Sequence, residues 1–262
     1  MLPEDKYYLT EVDKYPQSIY CYNNEMRELL IDSHLHKKHQ FLYTEGGIVF
    51  VETASKTYYL PARHFMWIPA GIVHSIRTNR EDAVMFNLYF PVEEQESGFY
   101  QEEGIYPVDD LLLQLMNYSK SFATELFPAN DKFVVALTIK RILSEKNALQ
   151  LPLALPVAKS ERLNAILNFL HTEDADDLTY GALVRKFGFT ERTLHRMFKR
   201  ELEMSFAQYH TILKMIRAIE LLLEKRFSVS EIASEVGYSS IATFSNTFYK
   251  FTGKRPSEYF AG

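Results

Sequence analysis

The chain has 262 residues, which at about 150 residues per domain predicts two domains. Its 34 acidic and 29 basic residues give a net charge of -5, so the chain as a whole lacks the positive surface typical of nucleic-acid-binding proteins. A hydrophobic content of 47% with 24% charged residues excludes a mainly disordered, collagen-like or low-complexity protein and supplies a sizeable apolar core.

The single cysteine, Cys21, excludes both an internal disulfide and a two-cysteine redox or zinc motif. We expect Cys21 to be a small core residue in a strand. The first fifteen residues, MLPEDKYYLTEVDKY, lack the apolar stretch of a signal peptide, and no run of the chain reaches the ~18 apolar residues of a membrane span. These features favour a cytoplasmic protein with no membrane partner.

Residues 17 to 90 consist of short apolar or alternating runs separated by turn signals. The runs are QSIYCY, QFLYT, GIVFVETA, KTYYLP, HFMWIP, HSIRT and AVMFNLYF. The turn signals are Glu45-Gly46-Gly47, Ala54-Ser55-Lys56, Pro69-Ala70-Gly71 and Thr78-Asn79-Arg80. Many short strands at this regular spacing predict a β-sandwich or a small barrel.

After Pro107 the spacing of apolar residues becomes helical, which predicts two amphipathic helices that either pack on the barrel or form a dimer surface. The residues with this spacing are Leu111, Leu112, Leu115, Met116, Phe122 and Leu126, then Phe133, Leu137, Ile139, Ile142 and Leu143. Beyond them, Pro152 and Pro156 break helix and favour an extended linker. The predicted organisation is a barrel over 1–104, a helical packing or dimerisation segment over 105–150, a linker over 151–158 and an all-α domain over 159–262.

The charge differs between the two ends of the chain. Residues 1–156 hold 14 basic and 21 acidic residues, whereas residues 179–262 hold 13 basic and 8 acidic residues, a net +5. The overall acidity therefore conceals a basic C-terminal module, which is the kind of charge asymmetry expected when one domain binds nucleic acid.

The basic module contains an internal repeat. With an offset of 50 residues Leu194-His195-Arg196-Met197-Phe198 lies over Phe244-Ser245-Asn246-Thr247-Phe248, and with an offset of 49 Gly188-Phe189-Thr190 lies over Gly237-Tyr238-Ser239. An apolar helix, a glycine turn, a capping hydroxyl and a second helix thus occur twice, which predicts two helix-turn-helix units. Ser228 and Glu231 form a capping box in the second unit. A long helix from about Ser205 to Lys225 joins the units.

The segment from Leu178 to Phe260 resembles the DNA-binding domain of the AraC/XylS family of bacterial transcription regulators. The matching strings are Leu194-His195-Arg196-Met197-Phe198-Lys199, Ser230-Glu231-Ile232-Ala233, Val236-Gly237-Tyr238, Phe244-Ser245-Asn246-Thr247-Phe248 and Pro256-Ser257-Glu258-Tyr259. The resemblance implies that two recognition helices enter successive major grooves about one helical turn, ~34 Å, apart. This sequence departs from the family at Glu203, where glycine is usual, and at Asn246, where arginine is frequent.

The predicted recognition helices nominate side chains for DNA contact. The first helix presents Arg192, His195 and Arg196, and each arginine can bond a guanine edge in two places, worth about 1 to 3 kcal/mol of discrimination. The second presents Ile241, Ala242, Thr243, Ser245 and Asn246, which predicts a half-site that favours A·T pairs and is held more weakly. Phosphate contacts are expected from Lys199, Arg200, Lys250, Lys254 and Arg255.

Four histidines fall in two short segments of the N-terminal half. Ile31-Asp32-Ser33-His34-Leu35-His36-Lys37-Lys38-His39-Gln40 and Pro69-Ala70-Gly71-Ile72-Val73-His74 resemble the two motifs of the cupin barrel, although Arg63 stands where those motifs prefer glycine. The resemblance implies a divalent metal held by His34, His36, Gln40 and His74. Nitrogen and amide ligands suit zinc, iron, nickel or copper, and strand alternation puts His34, His36 and Gln40 on one face if the strand is regular. The alternative is that these histidines only hydrogen-bond within a pocket or to an organic effector.

Aromatic residues of the strands, among them Tyr43, Trp67 and Phe86, are expected to line an effector pocket, although the same pattern is typical of a sandwich core. Together these features predict a two-domain β + α protein: a cupin-like barrel with two helices, followed by an all-α double helix-turn-helix domain. The predicted function is a sequence-specific transcription regulator, not an enzyme, that binds double-stranded DNA as a homodimer under control of a small-molecule effector or metal, and contacts RNA polymerase if it activates. The alternatives are a cupin metalloenzyme of dioxygenase or isomerase type with a DNA-binding appendage, and a nonspecific architectural DNA protein.

Overall fold

The computed structural model describes residues 11–25, 30–45, 47–78, 83–96, 98–145, 149–172 and 180–259. The turn residues Gly46 and Asn79-Arg80, and the ends of the family resemblance at Leu178 and Phe260, lie outside the described residues. The chain divides into two compact units. The N-terminal unit comprises Met1–Thr53 and Tyr59–Leu151, and the C-terminal unit comprises Ala54–Tyr58 and Pro152–Gly262.

The strands form two sheets in the described part of the chain, with the orders β10-β1-β8-β3-β6-β9 and β11-β5-β4-β7-β2. Neighbours such as β1 and β8, or β4 and β7, pair in antiparallel fashion, and this architecture confirms the predicted sandwich or barrel. The strands are β1 (Ile19–Glu25), β2 (Leu30–His34), β3 (His39–Glu45), β4 (Ile48–Thr53), β5 (Lys56–Pro61), β6 (His64–Ile68), β7 (His74–Thr78), β8 (Val84–Phe90), β9 (Gly104–Pro107), β10 (Glu125–Leu126) and β11 (Ala154–Pro156).

Two helices cover one face of the first sheet. Helix α1 spans Asp110–Ser119 and helix α2 spans Asp131–Ser144. Their buried faces share one apolar core with β1, β3, β6 and β8, so of the two alternatives for this segment the helices do pack on the sheet. The prediction that Phe122 and Leu126 continue the first helix is wrong, because α1 ends at Ser119 and Leu126 pairs with Ile19 in the sheet.

The aromatic residues Tyr43, Trp67 and Phe86, expected to line an effector pocket, lie in an apolar core of the N-terminal unit, the alternative that the same pattern allowed. All three are at most 2% exposed and belong to the core beneath α1 and α2. The reason is the pleat of β3, which sends alternate side chains to opposite faces of the sheet. Tyr43 points toward the helices, whereas Gln40 points to the other face, where the histidines lie.

From Glu161 onward the described residues of the C-terminal unit form helices joined by short connections, as predicted. The unit contains α3 (Glu161–Thr172), α4 (Tyr180–Phe187), α5 (Glu191–Leu202), α6 (Phe206–Glu224), α7 (Val229–Glu235) and α8 (Ile241–Thr252). The pairs α4–α5 and α7–α8 are the two helix-turn-helix units, and α6 joins them. None of the helices in the described ranges is long and apolar enough to cross a bilayer.

Local signals set the ends of these helices. Gly188 and Gly237 adopt φ values of 67° and 73°, as the predicted left-handed turns require. Ser228 and Glu231 form the predicted capping box. The prediction that Ser239 caps α8 is wrong by one residue, because Ser240 accepts the bond from the Thr243 amide. Glu203, where the family has glycine, ends α5 at φ 58°, a conformation that is strained for a residue with a side chain.

Candidate nucleic-acid interface and barrel histidine site

Helix α5 presents the first set of predicted DNA-contacting residues. The Thr190 hydroxyl accepts a bond from the Thr193 amide at 3.2 Å and fixes the start of the helix. Leu194 and Phe198 are fully buried and anchor one face in the core. The side chains of Arg192, His195 and Arg196 are exposed on the opposite face, because residues three and four apart on a helix lie side by side.

Helix α8 has the same design in the second unit. Phe244 and Phe248 are fully buried, with ring centroids 5.7 Å apart, and set the orientation of the helix. The face away from this core presents the residues nominated from the sequence. Ile241, Ala242, Thr243 and Asn246 are exposed, and Ser245 is half-buried.

The basic residues expected at phosphates are placed in two ways. Lys199, Arg200 and Lys250 are exposed near the ends of α5 and α8, and Lys254 is half-buried in the loop after α8. Arg255 instead lies against α8, where its Nη1 donates to Asn246 Oδ1 at 2.9 Å. The structure thus brings Arg255, which was predicted to contact a phosphate, together with Asn246, which was predicted to contact a base.

Three histidines and one glutamine converge in the N-terminal unit. One ring nitrogen from each of His34, His36 and His74 lies within 4.8 Å of the other two. Gln40 Oε1 lies 3.1 Å from His36 Nε2 and 3.2 Å from His74 Nε2. The structure therefore brings together all four residues that the sequence nominated as metal ligands.

The expectation that His34, His36 and Gln40 share one face of a single regular strand is wrong. His34 ends β2, His36 lies in the following loop and Gln40 lies in β3, while His74 begins β7 directly opposite His34. The loop is held by a bond of 2.8 Å from the Gly71 amide to the His36 carbonyl. Pairing between elements, not alternation along one strand, assembles the site.

Hydrogen bonds of the second ring nitrogen fix the tautomer of every histidine in the cluster. His34 Nδ1 lies 2.8 Å from the Asp32 carbonyl, His36 Nδ1 lies 2.6 Å from the Lys38 carbonyl and His74 Nδ1 lies 2.8 Å from the Ile72 carbonyl. A carbonyl oxygen only accepts, so each Nδ1 carries the proton and donates it. A neutral imidazole then has a bare lone pair on Nε2, which is the arrangement found in metal-binding histidines whose other ring nitrogen donates to a backbone carbonyl.

Gln40 adds an oxygen lone pair beside the Nε2 atoms of His36 and His74. Its Nε2 donates to Asn87 Oδ1 at 2.7 Å, which turns Oε1 toward the histidines. Burial lowers the pKa of His36 and lowers the pKa of His74 to about 3, so both rings are neutral near pH 7. Neutral Nε2 atoms facing Oε1 are acceptors facing an acceptor, an arrangement that a cation at their centre would stabilise. The donor set therefore fits a divalent transition metal.

Sequence reasoning missed two contributors to this unit. Asn87 is 2% exposed, and the signal for it was a lone amide in the apolar strand AVMFNLYF. The second is a buried ionic network in which Glu96 accepts from His39 Nε2 at 2.7 Å and forms an ion pair with Lys140. No local pattern marks this network, because its members come from a strand, a loop and a helix.

Comparison with known proteins identifies both halves of the chain. A family model described as "AraC-like ligand binding domain" matches residues 16–107, and one described as "Helix-turn-helix domain" matches residues 183–262. The HTH-type transcriptional regulator NimR of Escherichia coli (strain K12) is 24% identical over 243 residues, which cover 92% of this chain and 86% of NimR.

Other relatives match one part of the chain or resemble it weakly in structure. The HTH-type transcriptional activator RhaS of Escherichia coli (strain SE11) is 33% identical over 89 residues, which cover 34% of this chain and 32% of RhaS. Among solved structures, ToxT from Vibrio cholerae is 11% identical with a TM-score of 0.37, over 93% of this chain and 98% of that chain. With an N-terminal ligand-binding domain and a C-terminal helix-turn-helix domain, the chain belongs to the AraC family of transcriptional regulators.

Proposed function

We propose that this ligand-modulated transcriptional regulator reads two adjacent major-groove segments of double-stranded DNA through α5 and α8. The observation that carries the proposal is the repeated design of the two helices. Each is capped by a hydroxyl residue, anchored by buried apolar residues and exposed on the opposite face. A helix with one face anchored in the core and the other exposed is the element that reads base edges in a helix-turn-helix protein.

Specificity and affinity are divided among the exposed residues by their chemistry. Arg192 and Arg196 can each bond the O6 and N7 atoms of a guanine, whereas Lys199, Arg200 and Lys250 supply charge at helix ends that reaches phosphates. Because phosphate contacts release counterions, we expect DNA affinity to fall steeply as the salt concentration rises. The proposal extends to a homodimer in the cytoplasm that contacts RNA polymerase if it activates, and the chain acts as a regulator and not as an enzyme.

A gel-shift titration of a cognate duplex against random DNA tests the DNA-binding proposal. Arg192→Ala and Arg196→Ala should each weaken specific binding about 5- to 150-fold and leave the affinity for random DNA nearly unchanged. Arg217→Ala is the matched control, because Arg217 is an exposed arginine on the linker helix α6. Equal affinity of wild type and both variants for the cognate duplex would contradict the assignment, and equal affinity for cognate and random DNA would favour an architectural protein.

We also propose that the N-terminal barrel holds a divalent transition metal. His34, His36 and His74 would bind it through Nε2 and Gln40 through Oε1. The support is the set of three Nδ1 bonds to backbone carbonyls, which leave three lone pairs and one amide oxygen aimed at one another. A purely hydrogen-bonded histidine cluster would instead need a proton on Nε2 of His36 and of His74 to satisfy Gln40 Oε1. When bound, the metal would supply a positive charge to which an organic effector could bind.

Metal analysis of the purified full-length protein tests this second proposal. Wild type should contain about one equivalent of zinc, iron, nickel or copper, and His36→Ala and His74→Ala should lose it. His64→Ala is the control, because His64 is a buried histidine outside the cluster. Chelator-stripped wild type should unfold at a higher urea concentration after metal is restored, since a ligand at 1,000 times its dissociation constant adds about 4.1 kcal/mol. Equal, background metal in all three proteins would refute the proposal.

A further inference from the structure

Arg255 lies on the recognition face of α8, although it comes after the helix in sequence. Its Nη1 donates to Asn246 Oδ1 at 2.9 Å and lies 3.3 Å from the Ser245 carbonyl and 3.4 Å from the Ser245 hydroxyl. Its guanidinium carbon lies 4.8 Å from the ring centroid of Tyr249, on the next turn of the helix. Arg255 therefore shares a surface with the side chains nominated for base contact.

The loop after α8 is built to return Arg255 to this position. Gly253 ends the helix at φ 70°, which reverses the chain direction. The Thr252 hydroxyl accepts a bond from the Lys254 amide at 3.3 Å, and the Glu258 carboxylate accepts one from the Arg255 amide. Pro256 then begins a short 3-10 helix and is buried. The backbone of Arg255 is thus fixed on both sides, which lowers the entropy lost when its side chain binds a ligand.

The chemistry of this pair determines what it presents to DNA. A guanidinium group only donates hydrogen bonds, so the atom of Asn246 that faces Arg255 must be the amide oxygen. The amide nitrogen of Asn246 and the remaining guanidinium N–H groups of Arg255 are all donors. Adenine recognition by asparagine needs both an acceptor and a donor, whereas guanine presents two acceptors, O6 and N7, in the major groove.

We propose that Arg255 is a specificity-determining residue of the second recognition helix and that, with Asn246, it selects guanine. This inference rests on the proposed DNA-binding function and replaces two expectations from the sequence, a phosphate contact for Arg255 and an adenine preference for Asn246. The guanidinium group that the family often carries on the helix at position 246 is supplied here from the loop that follows the helix.

Selection of random duplexes by the full-length protein separates base reading from phosphate binding. Wild type should enrich a motif with a guanine that Arg255→Ala and Arg255→Lys both lose, with about 5- to 150-fold discrimination at that base pair. Lysine keeps the positive charge but not the two-pronged geometry, so a phosphate contact would survive Arg255→Lys. Asn246→Ala should weaken the preference at the same base pair. Arg217→Ala, at an exposed arginine of the linker helix α6, is the control that should leave the motif unchanged.

Two results would overturn the inference while leaving the proposed function intact. One is that Arg255→Ala lowers the affinity for all enriched duplexes equally, with no change of motif, as expected of a phosphate contact. The other is that wild type selects adenine at the base pair that Asn246→Ala affects. If wild type enriched no motif at all, the proposed DNA-reading function itself would fail, and the inference with it.

Discussion

Replacement of Lys140 by methionine tests the buried ionic network that joins α2 to the first sheet. Lys140 is 1% exposed, its Nζ donates to the Pro91 carbonyl at 2.8 Å, and it forms an ion pair with Glu96. Glu96 has a side chain that is 8% exposed and accepts a bond from His39. Methionine has a similar length and no charge, so Lys140→Met removes the cation while it fills the same space.

The expected loss follows from what remains after the substitution. The Glu96 carboxylate stays buried, with the neutral His39 ring as its remaining donor in the network. Breaking one side of a buried ion pair in this way costs about 3 to 5 kcal/mol, because it leaves an uncompensated charge. With a urea m-value of about 2 kcal/mol per M, the unfolding midpoint should fall by about 2 M. The double variant Glu96→Gln/Lys140→Met removes both charges and should recover at least about half of this loss.

Fluorescence of the single tryptophan provides the assay. Trp67 is fully buried in the N-terminal unit and its ring stacks on His39 with centroids 5.2 Å apart, so its emission reports unfolding of this unit alone. Arg141→Met is the matched control, since Arg141 follows Lys140 on α2 and is exposed. A Lys140→Met midpoint within about 0.3 M of the Arg141→Met midpoint would refute the reasoning, because an exposed charge contributes under about 0.5 kcal/mol. Failure of the double variant to recover stability would show that Lys140 acts through packing and not through charge.

Three further predictions concern single positions. Glu203→Gly should raise the free energy of unfolding of the C-terminal unit by about 0.5 to 1 kcal/mol by relieving the left-handed backbone. The matched Glu224→Gly, at the last residue of α6, should instead lower it by up to about 1 kcal/mol, and far-UV circular dichroism in urea measures both. Burial lowers the pKa of His210 to about 4, so below pH 6.5 the unfolded chain binds a proton that the folded chain does not. The free energy of unfolding of the C-terminal unit should therefore fall as the pH drops from 6.5 to 4, and His210→Gln should flatten that decline; an unchanged decline in His210→Gln would contradict the prediction. Burial raises the pKa of Cys21 to about 12, so a thiol reagent should label it only in urea; rapid labelling of the native protein would contradict its burial.

The C-terminal unit could be predicted in detail because its signals are local. Glycine at a left-handed turn, a hydroxyl at an N-cap and an apolar stripe at helical spacing act within a few residues, and the repeat supplied each signal twice. Ser240 in place of Ser239 as the cap is the kind of one-residue error that adjacent hydroxyl residues cause. The sequence also indicated an unusual helix end at Glu203, because glycine is absent there.

The N-terminal unit was predicted less completely, because its site depends on which face of a sheet each residue occupies. The four residues of the histidine cluster were named from their motif, but they come together through a break between β2 and β3 that shifts the alternation. The same alternation sends Tyr43 to the opposite face of the sheet, so the aromatic residues expected in a pocket form the core under the helices.

The sequence by itself determined two domains, their fold classes, the acidic and basic halves and the repeated helix-turn-helix units. These properties follow from composition and from periodicity within single elements. Only the tertiary structure decided the tautomers of the clustered histidines, the network of His39, Glu96 and Lys140, and the bond from Arg255 to Asn246. The histidine tautomers depend on bonds to carbonyls only two residues away, which form because the local backbone turns each carbonyl toward its ring. The other two depend on bonds between segments that the fold brings together. In both cases the direction of the bond is set by three-dimensional geometry and not by spacing along the chain.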